Sequence, residues 1–182
     1  HQLMVNVYED ERSQQIVSVI DKGRPMQQAF QGMTLLDYAI NASLMLSYVA
    51  VRKADKAGLV CFADHTDTFV APSRRHGQME RLLDALYSQQ TRWSESDFGD
   101  MLATINKRLT KRSLLVVYTS FANTRSTEEY YQHVIVEKML NEQRLIVSQL
   151  RQHGILSMLT TPQNLSVDVV NRYLELKERQ AI

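Results

Sequence analysis

The chain alternates short apolar runs with longer stretches in which apolar residues return every three or four positions. Gln15–Asp21 reads as a strand, because Ile16, Val17, Val19 and Ile20 lie almost without interruption before Asp21. A β-branched run with no polar alternation is what a strand buried on both faces looks like. Residues 3–8 form a second candidate strand, set before it as a hairpin partner. Thr34, with Asp37 three positions on, predicts a capping box and a largely buried helix over 35–53. Residues 55–58 read as a turn and 59–63 as another buried strand. Residues 64–67 read as a second turn, and 68–70 as a short returning strand before Pro72.

Two amphipathic helices follow. Met79, Leu82, Leu83 and Leu86 share the apolar face of the first; Phe98, Met101, Leu102, Ile105 and Leu109 share that of the second. Ser94, Glu95, Ser96 and Asp97 supply capping residues for the second. Residues 113–119 are a third strong strand, 127–153 a long helix stopped by Gly154, 155–159 a strand, and 165–178 a last helix. Strands alternating with helices predict an α/β fold, a three-layer sandwich whose mostly parallel central sheet carries helices on both faces. Ligands of such sheets sit beyond the carboxyl ends of the strands. That singles out the loops at 21–26, 94–97 and 119–123.

Composition narrows the picture. The 182 residues, 44% hydrophobic and 23% charged, suit one ordinary globular domain and exclude a disordered or fibrous chain. A net charge of +1 argues against a protein built mainly to hold nucleic acid. Arg74, Arg75 and His76, and Lys107, Arg108, Lys111 and Arg112, read as solvated faces and helix-end charge. One cysteine, Cys61, forms no internal disulfide; it lies mid-strand and reads as core. The stretch 39–51 is too short and too often interrupted to span a membrane. A cytoplasmic setting is expected, with no nucleic-acid partner. Phosphate-loop and nucleophile-elbow motifs are lacking. Asp64-His65-Thr66-Asp67 reads as a polar turn rather than a metal site.

The segments Tyr8–Arg12, Val19–Asp21, Leu35–Ala39, Asp55–Leu59, Ser96–Phe98, Arg112–Leu115 and Leu159–Leu165, taken in order, resemble the bacterial domain-of-unknown-function fifty-eight family. These are von Willebrand factor A-like (vWA-like) domains associated with MoxR-type AAA+ ATPases. The resemblance implies a protein-interaction module, not an enzyme, with a MoxR-type ATPase as partner and a role in chaperone-like assembly. Relatives carry an arginine- and tryptophan-containing segment upstream and often an N-terminal membrane anchor, so the chain reads as a fragment of a longer protein. They also place a helix and a strand where only 121–126 stands here. A stretch is therefore expected to be missing near 121–127, since loss of a central strand would expose two sheet edges.

Domains of this type often hold a divalent metal at the strand ends in a site called MIDAS, whose first loop reads Asp-x-Ser-x-Ser. Here that loop reads Asp21, Lys22, Gly23, Arg24, Pro25. Asp21 stands, but Gly23 and Pro25 replace both hydroxyls. Ser96 takes the place of the second-loop Thr, and Ser120 that of the third-loop Asp. Lost ligands and added cations imply a degenerate site without a cofactor, although Asp21, Ser96 and Ser120 still offer oxygens to Mg²⁺. The partner-binding candidates are Asp21, Lys22, Gly23, Arg24, Ser96, Asp97 and Ser120. Lys22 and Arg24 are expected to meet an acidic partner group. The alternative is a metal-dependent hydrolase or other enzyme that uses Asp21 and Asp97 as its carboxylates.

Overall fold

The computed structural model describes residues 13–120 and 156–179, together with the helical positions 141, 144, 145 and 148. Strand β1, Gln15–Asp21, lies inside a sheet that has four strands among the described residues. It runs parallel to β4, Lys56–Phe62, on one side and to β6, Leu114–Tyr118, on the other. The antiparallel strand β5, Thr66–Ser73, flanks β4. Six of the seven residues of both β1 and β4 are buried, as their unbroken apolar runs require. A small ribbon of β2, Ala29–Phe30, and β3, Met33–Thr34, precedes the first helix.

Helices cover both faces of the sheet. On one face, Ile16, Ile20, Leu59 and Cys61 pack with α1, Leu35–Arg52, α2, Gln78–Tyr87, and α4, Leu165–Glu178. On the other, Val17, Val19, Val60 and Phe62 meet Met101 and Ile105 of α3, Phe98–Arg108. This is the expected α/β sandwich. Small residues on the buried side of α1 (Ala39, Ala42, Ser43, Ser47 and Ala50) let it approach its neighbours closely. Its start is closed by the capping box foreseen in the sequence: Thr34 Oγ1 accepts from the Asp37 N–H, and Asp37 Oδ2 accepts from the Thr34 N–H. Cys61 is fully buried, and that burial pushes its thiol up to about 12, which suits a core residue.

The structure departs from the expectations in three places. The turn expected at 55–58 is strand from position 56 on: the chain turns at Lys53–Ala54, with Ala54 in the left-handed region at φ 62, and β4 begins at Lys56. Gly58 serves the sheet instead. A Cβ there would lie 3.0 Å from the Pro72 nitrogen and the Val70 carbonyl oxygen, where β5 presses against β4 at a register shift. The returning strand is longer than 68–70, because an edge position tolerates Pro72, which has no N–H to donate. The strand expected over 155–159 is not formed at its described positions, 156–159. Leu156, Met158 and Leu159 there are exposed, and no described strand pairs with them. The candidate strand at 3–8, nearly all of the helix expected at 127–153 and the stretch near 121–127 lie outside the described residues.

Asp55, at the amino end of β4, is fully buried. Its Oδ1 accepts from the Gln14 N–H at 3.0 Å; its Oδ2 accepts from Lys177 Nζ at 2.9 Å and from the Tyr173 hydroxyl. Burial, then the hydrogen bond and negative charge of Asp55, push the Tyr173 hydroxyl above its usual range and keep it a donor. These bonds fasten α4 to the sheet. Tyr173→Phe removes one of the donors to a buried carboxylate and is expected to cost about 1–3 kcal/mol in urea unfolding. An unchanged midpoint would show that the clamp contributes nothing.

Candidate functional site

The carboxyl ends of β1 and β6 and the loop before α3 converge on Asp21. The side chain is buried at the last position of β1. Its Oδ1 accepts from the Gly23 N–H at 2.8 Å and the Ser96 hydroxyl at 2.5 Å. Its Oδ2 accepts from the Thr119 hydroxyl at 2.7 Å. One carboxylate therefore joins three loops. Gly23 is required by this crowding, since a Cβ at that position would overlap Ser96 Oγ and sit 3.1 Å from Asp21 Oδ1.

Lys22 is oriented differently from the expectation. Its side chain is only 5% exposed, and its ammonium donates to Asp67 at 2.6 Å and Gln89 at 2.9 Å. Gln89 in turn donates to Thr68 Oγ1 and the Ala85 carbonyl. Arg92 closes the cluster from outside, with Nη2 2.8 Å from Asp67 and Nη1 3.4 Å from Asp64. A polar cleft of about 440 Å³ lies here, lined by Lys22, Asp67, Gln89 and Arg92 among others. Burial alone would raise the Asp67 carboxyl. The hydrogen bond and charge of Lys22, helped by Thr68 and Arg92, outweigh it and hold the group below the usual carboxylate range.

Of the sequence candidates, Asp21, Gly23 and Ser96 meet at one point. Arg24 pairs with Glu95, and its N–H donates to the Ser94 carbonyl. Asp97 caps α3: its Oδ1 accepts from the Asp100 N–H, and its own N–H donates to the Ala63 carbonyl. Ser120 is half-buried beside Thr119. Of the two cations expected to meet an acidic partner group, Lys22 is buried against Asp67, and Arg24 pairs with Glu95 at the surface. Thr119 was missed, although the pairing of Ile20 with Tyr118 puts the residue after β6 beside Asp21. Asp67, Gln89 and Arg92 were missed as well, and no motif marks them.

The residues present suit a divalent metal poorly. Mg²⁺ wants near-octahedral oxygen ligands, commonly with one or two carboxylates. Gly23 and Pro25 bring no side-chain oxygen, and the Ser96 and Thr119 hydroxyls are turned onto the single carboxylate of Asp21. No group of three His, Cys, Asp or Glu that could hold a metal occurs among the described residues.

Two measurements probe this geometry. Gly23→Ala is expected to destabilise the fold, and Ser96→Ala to relieve part of that cost. The double variant should therefore be less destabilised than the sum of the singles by about 1 kcal/mol or more; strict additivity would refute the steric account. Asp67→Asn weakens the hold on the buried Lys22 ammonium and is expected to cost about 1–3 kcal/mol at pH 7. A carboxyl with a depressed folded pKa stabilises above its unfolded value of about 3.9, and that contribution is lost as pH falls through the folded one. The difference between wild type and variant should therefore narrow in acid, as read by denaturation from pH 7 to about pH 3. A gap that stays constant would overturn the assignment.

Comparison with known proteins adds the following. A crystal structure of an uncharacterized membrane-spanning protein from Vibrio fischeri is similar, with 17% identity and a TM-score of 0.39. That match covers 52% of this chain and spans about half, 49%, of the other. The VWA domain of SpRpn10 is similar at 16% identity and a TM-score of 0.44, covering 87% of this chain and 82% of that one. Both likenesses are distant, and the fold stands on its own strand order. No curated protein matches the chain. No helix among the described residues is long and apolar enough to cross a membrane. Residues 1–143 match the family described as Protein of unknown function DUF58, and the chain belongs to that family.

Proposed function

We propose that the chain is a non-enzymatic protein-interaction module whose working face is the carboxyl end of the sheet, organised without metal around Asp21. The observation that carries this reading is the Asp21 carboxylate itself, which accepts from three protein donors on three loops. A carboxylate used in this way is a scaffold for loops: it fixes their mutual positions, as a preformed binding face requires. Family membership supports the further reading that the partner is a MoxR-type AAA+ ATPase and the role one of assisted assembly, in the cytoplasm or on the cytoplasmic side of a membrane-anchored parent.

The test has two arms. Binding of a purified MoxR-type ATPase from the same genome, followed by interferometry, is expected to persist in EDTA. It should weaken at least about tenfold in Asp21→Ala, the equivalent of 1.4 kcal/mol. Calorimetric titration with Mg²⁺ or Mn²⁺ is expected to show no micromolar site. Micromolar metal binding abolished by Asp21→Ala would overturn the metal-free reading, and absence of ATPase binding would overturn the partner.

A further inference from the structure

The polar cleft that holds Lys22 is built from three parts of the chain: Lys22 after β1, Asp67 and Thr68 of β5, and residues 88–92 after α2. Its volume of about 440 Å³ lies within the range of about 300–1,000 Å³ common for small-molecule sites. Its walls are fixed. Lys22 and Arg92 both bond to Asp67. The Gln89 amide joins Lys22 to Thr68 and the Ala85 carbonyl. The Arg92 N–H donates to the Lys22 carbonyl at 2.7 Å. Between these pinned residues the pattern changes. Gln90 and Thr91 make no hydrogen bond, in backbone or side chain, among the described residues, and the Ser88 hydroxyl makes none there either. An ammonium has three N–H groups, and Lys22 gives one to Asp67 and one to Gln89, which leaves the third for the cleft.

The groups left open decide the kind of ligand. The charges of the cleft are already matched, Lys22 with Asp67 and Arg92 with Asp67 and Asp64. An anion would have to draw Lys22 from Asp67, and a cation would have to draw Asp67 from Lys22. Either leaves one member of a largely buried pair without its partner. An apolar ligand would strip water from hydroxyls and amides and return no hydrogen bond. The open groups are of another kind. The Ser88 and Thr91 hydroxyls and the Gln90 amide each donate and accept, and the Lys22 N–H donates. A sugar or polyol hydroxyl donates and accepts in the same way. A run of such hydroxyls can meet several of these groups at once and leave the ion pairs intact.

We propose that this cleft binds a neutral polyhydroxylated small molecule, a sugar or polyol, with Ser88, Gln90, Thr91 and Lys22 as its hydrogen-bonding groups. The site needs no protein partner, so it stands or falls independently of the interaction reading above. Amide-resolved NMR titration of the whole chain tests it. The neutral probes are glucose, galactose, N-acetylglucosamine and sorbitol; glucuronate and glucosamine are the charged counterparts. At least one neutral probe is expected to shift the amides of residues 88–92 with a dissociation constant of roughly 1 mM or below. Both charged probes should bind at least about tenfold more weakly, because each disturbs the Lys22–Asp67 pair. Gln90→Ala and Thr91→Val should each weaken binding about three- to tenfold and leave the melting temperature unchanged, since neither side chain bonds within the described fold. Lactose, maltose and chitobiose then name the source. A disaccharide that binds more tightly than its monosaccharide assigns the site to a glycan chain, a weaker one assigns it to a free sugar, and both uphold the proposal. Three results would overturn it: no neutral probe that shifts these amides, a charged probe that binds as tightly as the neutral ones, or binding untouched by both substitutions.

Discussion

The Asp21 carboxylate is the constraint on which the functional end of the molecule depends. A buried carboxylate that lacks donors costs several kcal/mol, so its position at the end of β1 dictates what must surround it. Gly23 leaves room for the Ser96 hydroxyl, Ser96 ties down the loop before α3, and Thr119 ties down the end of β6. The backbone bonds from Arg92 to Lys22 and from Arg24 to Ser94 extend the same arrangement outward. The loops therefore take their shape from a polar hub at the end of an apolar sheet, and the face they present is preformed.

The opposite end of the sheet solves a similar problem for another purpose. Asp55 is as deeply buried as Asp21 and likewise accepts from three donors, Gln14, Tyr173 and Lys177. There two of the donors, Tyr173 and Lys177, come from a helix more than a hundred residues away, so the carboxylate secures tertiary packing of α4. Two buried acids, one at each end of the parallel strands, thus divide the work. The apolar faces between them supply most of the driving force for folding, and the two hubs fix where the helix and the loops sit relative to it.

Legibility in the sequence followed the range of the forces involved. Strand β1, the capped start of α1, the Asp97 cap of α3 and the bounds of α4 were readable because each is set by neighbours within a few positions. The start of β4 was misread because Gly58 looks like turn chemistry, whereas its role, accommodating β5 at a bulge, depends on Val70 and Pro72. Asp21, Gly23 and Ser96 were legible as site residues through family resemblance. The roles of Lys22 and Arg24 were not. A row of residues shows two cations two positions apart, but the groups they pair with, Asp67 of β5 and Glu95 before α3, come from distant parts of the chain.

That last error has a physical consequence for how such a face works. Counting charges along one loop gave a positive site; the fold pairs Lys22 with Asp67 and Arg24 with Glu95. Once Lys22 is withdrawn into the cleft, its role is to hold the ends of β1 and β5 and the loop after α2 together. The remnant of the metal site acts in this reading as the foundation of an interface. A face built this way needs no metal to be preformed, because protein hydroxyls and a backbone N–H already meet the demands of its central carboxylate.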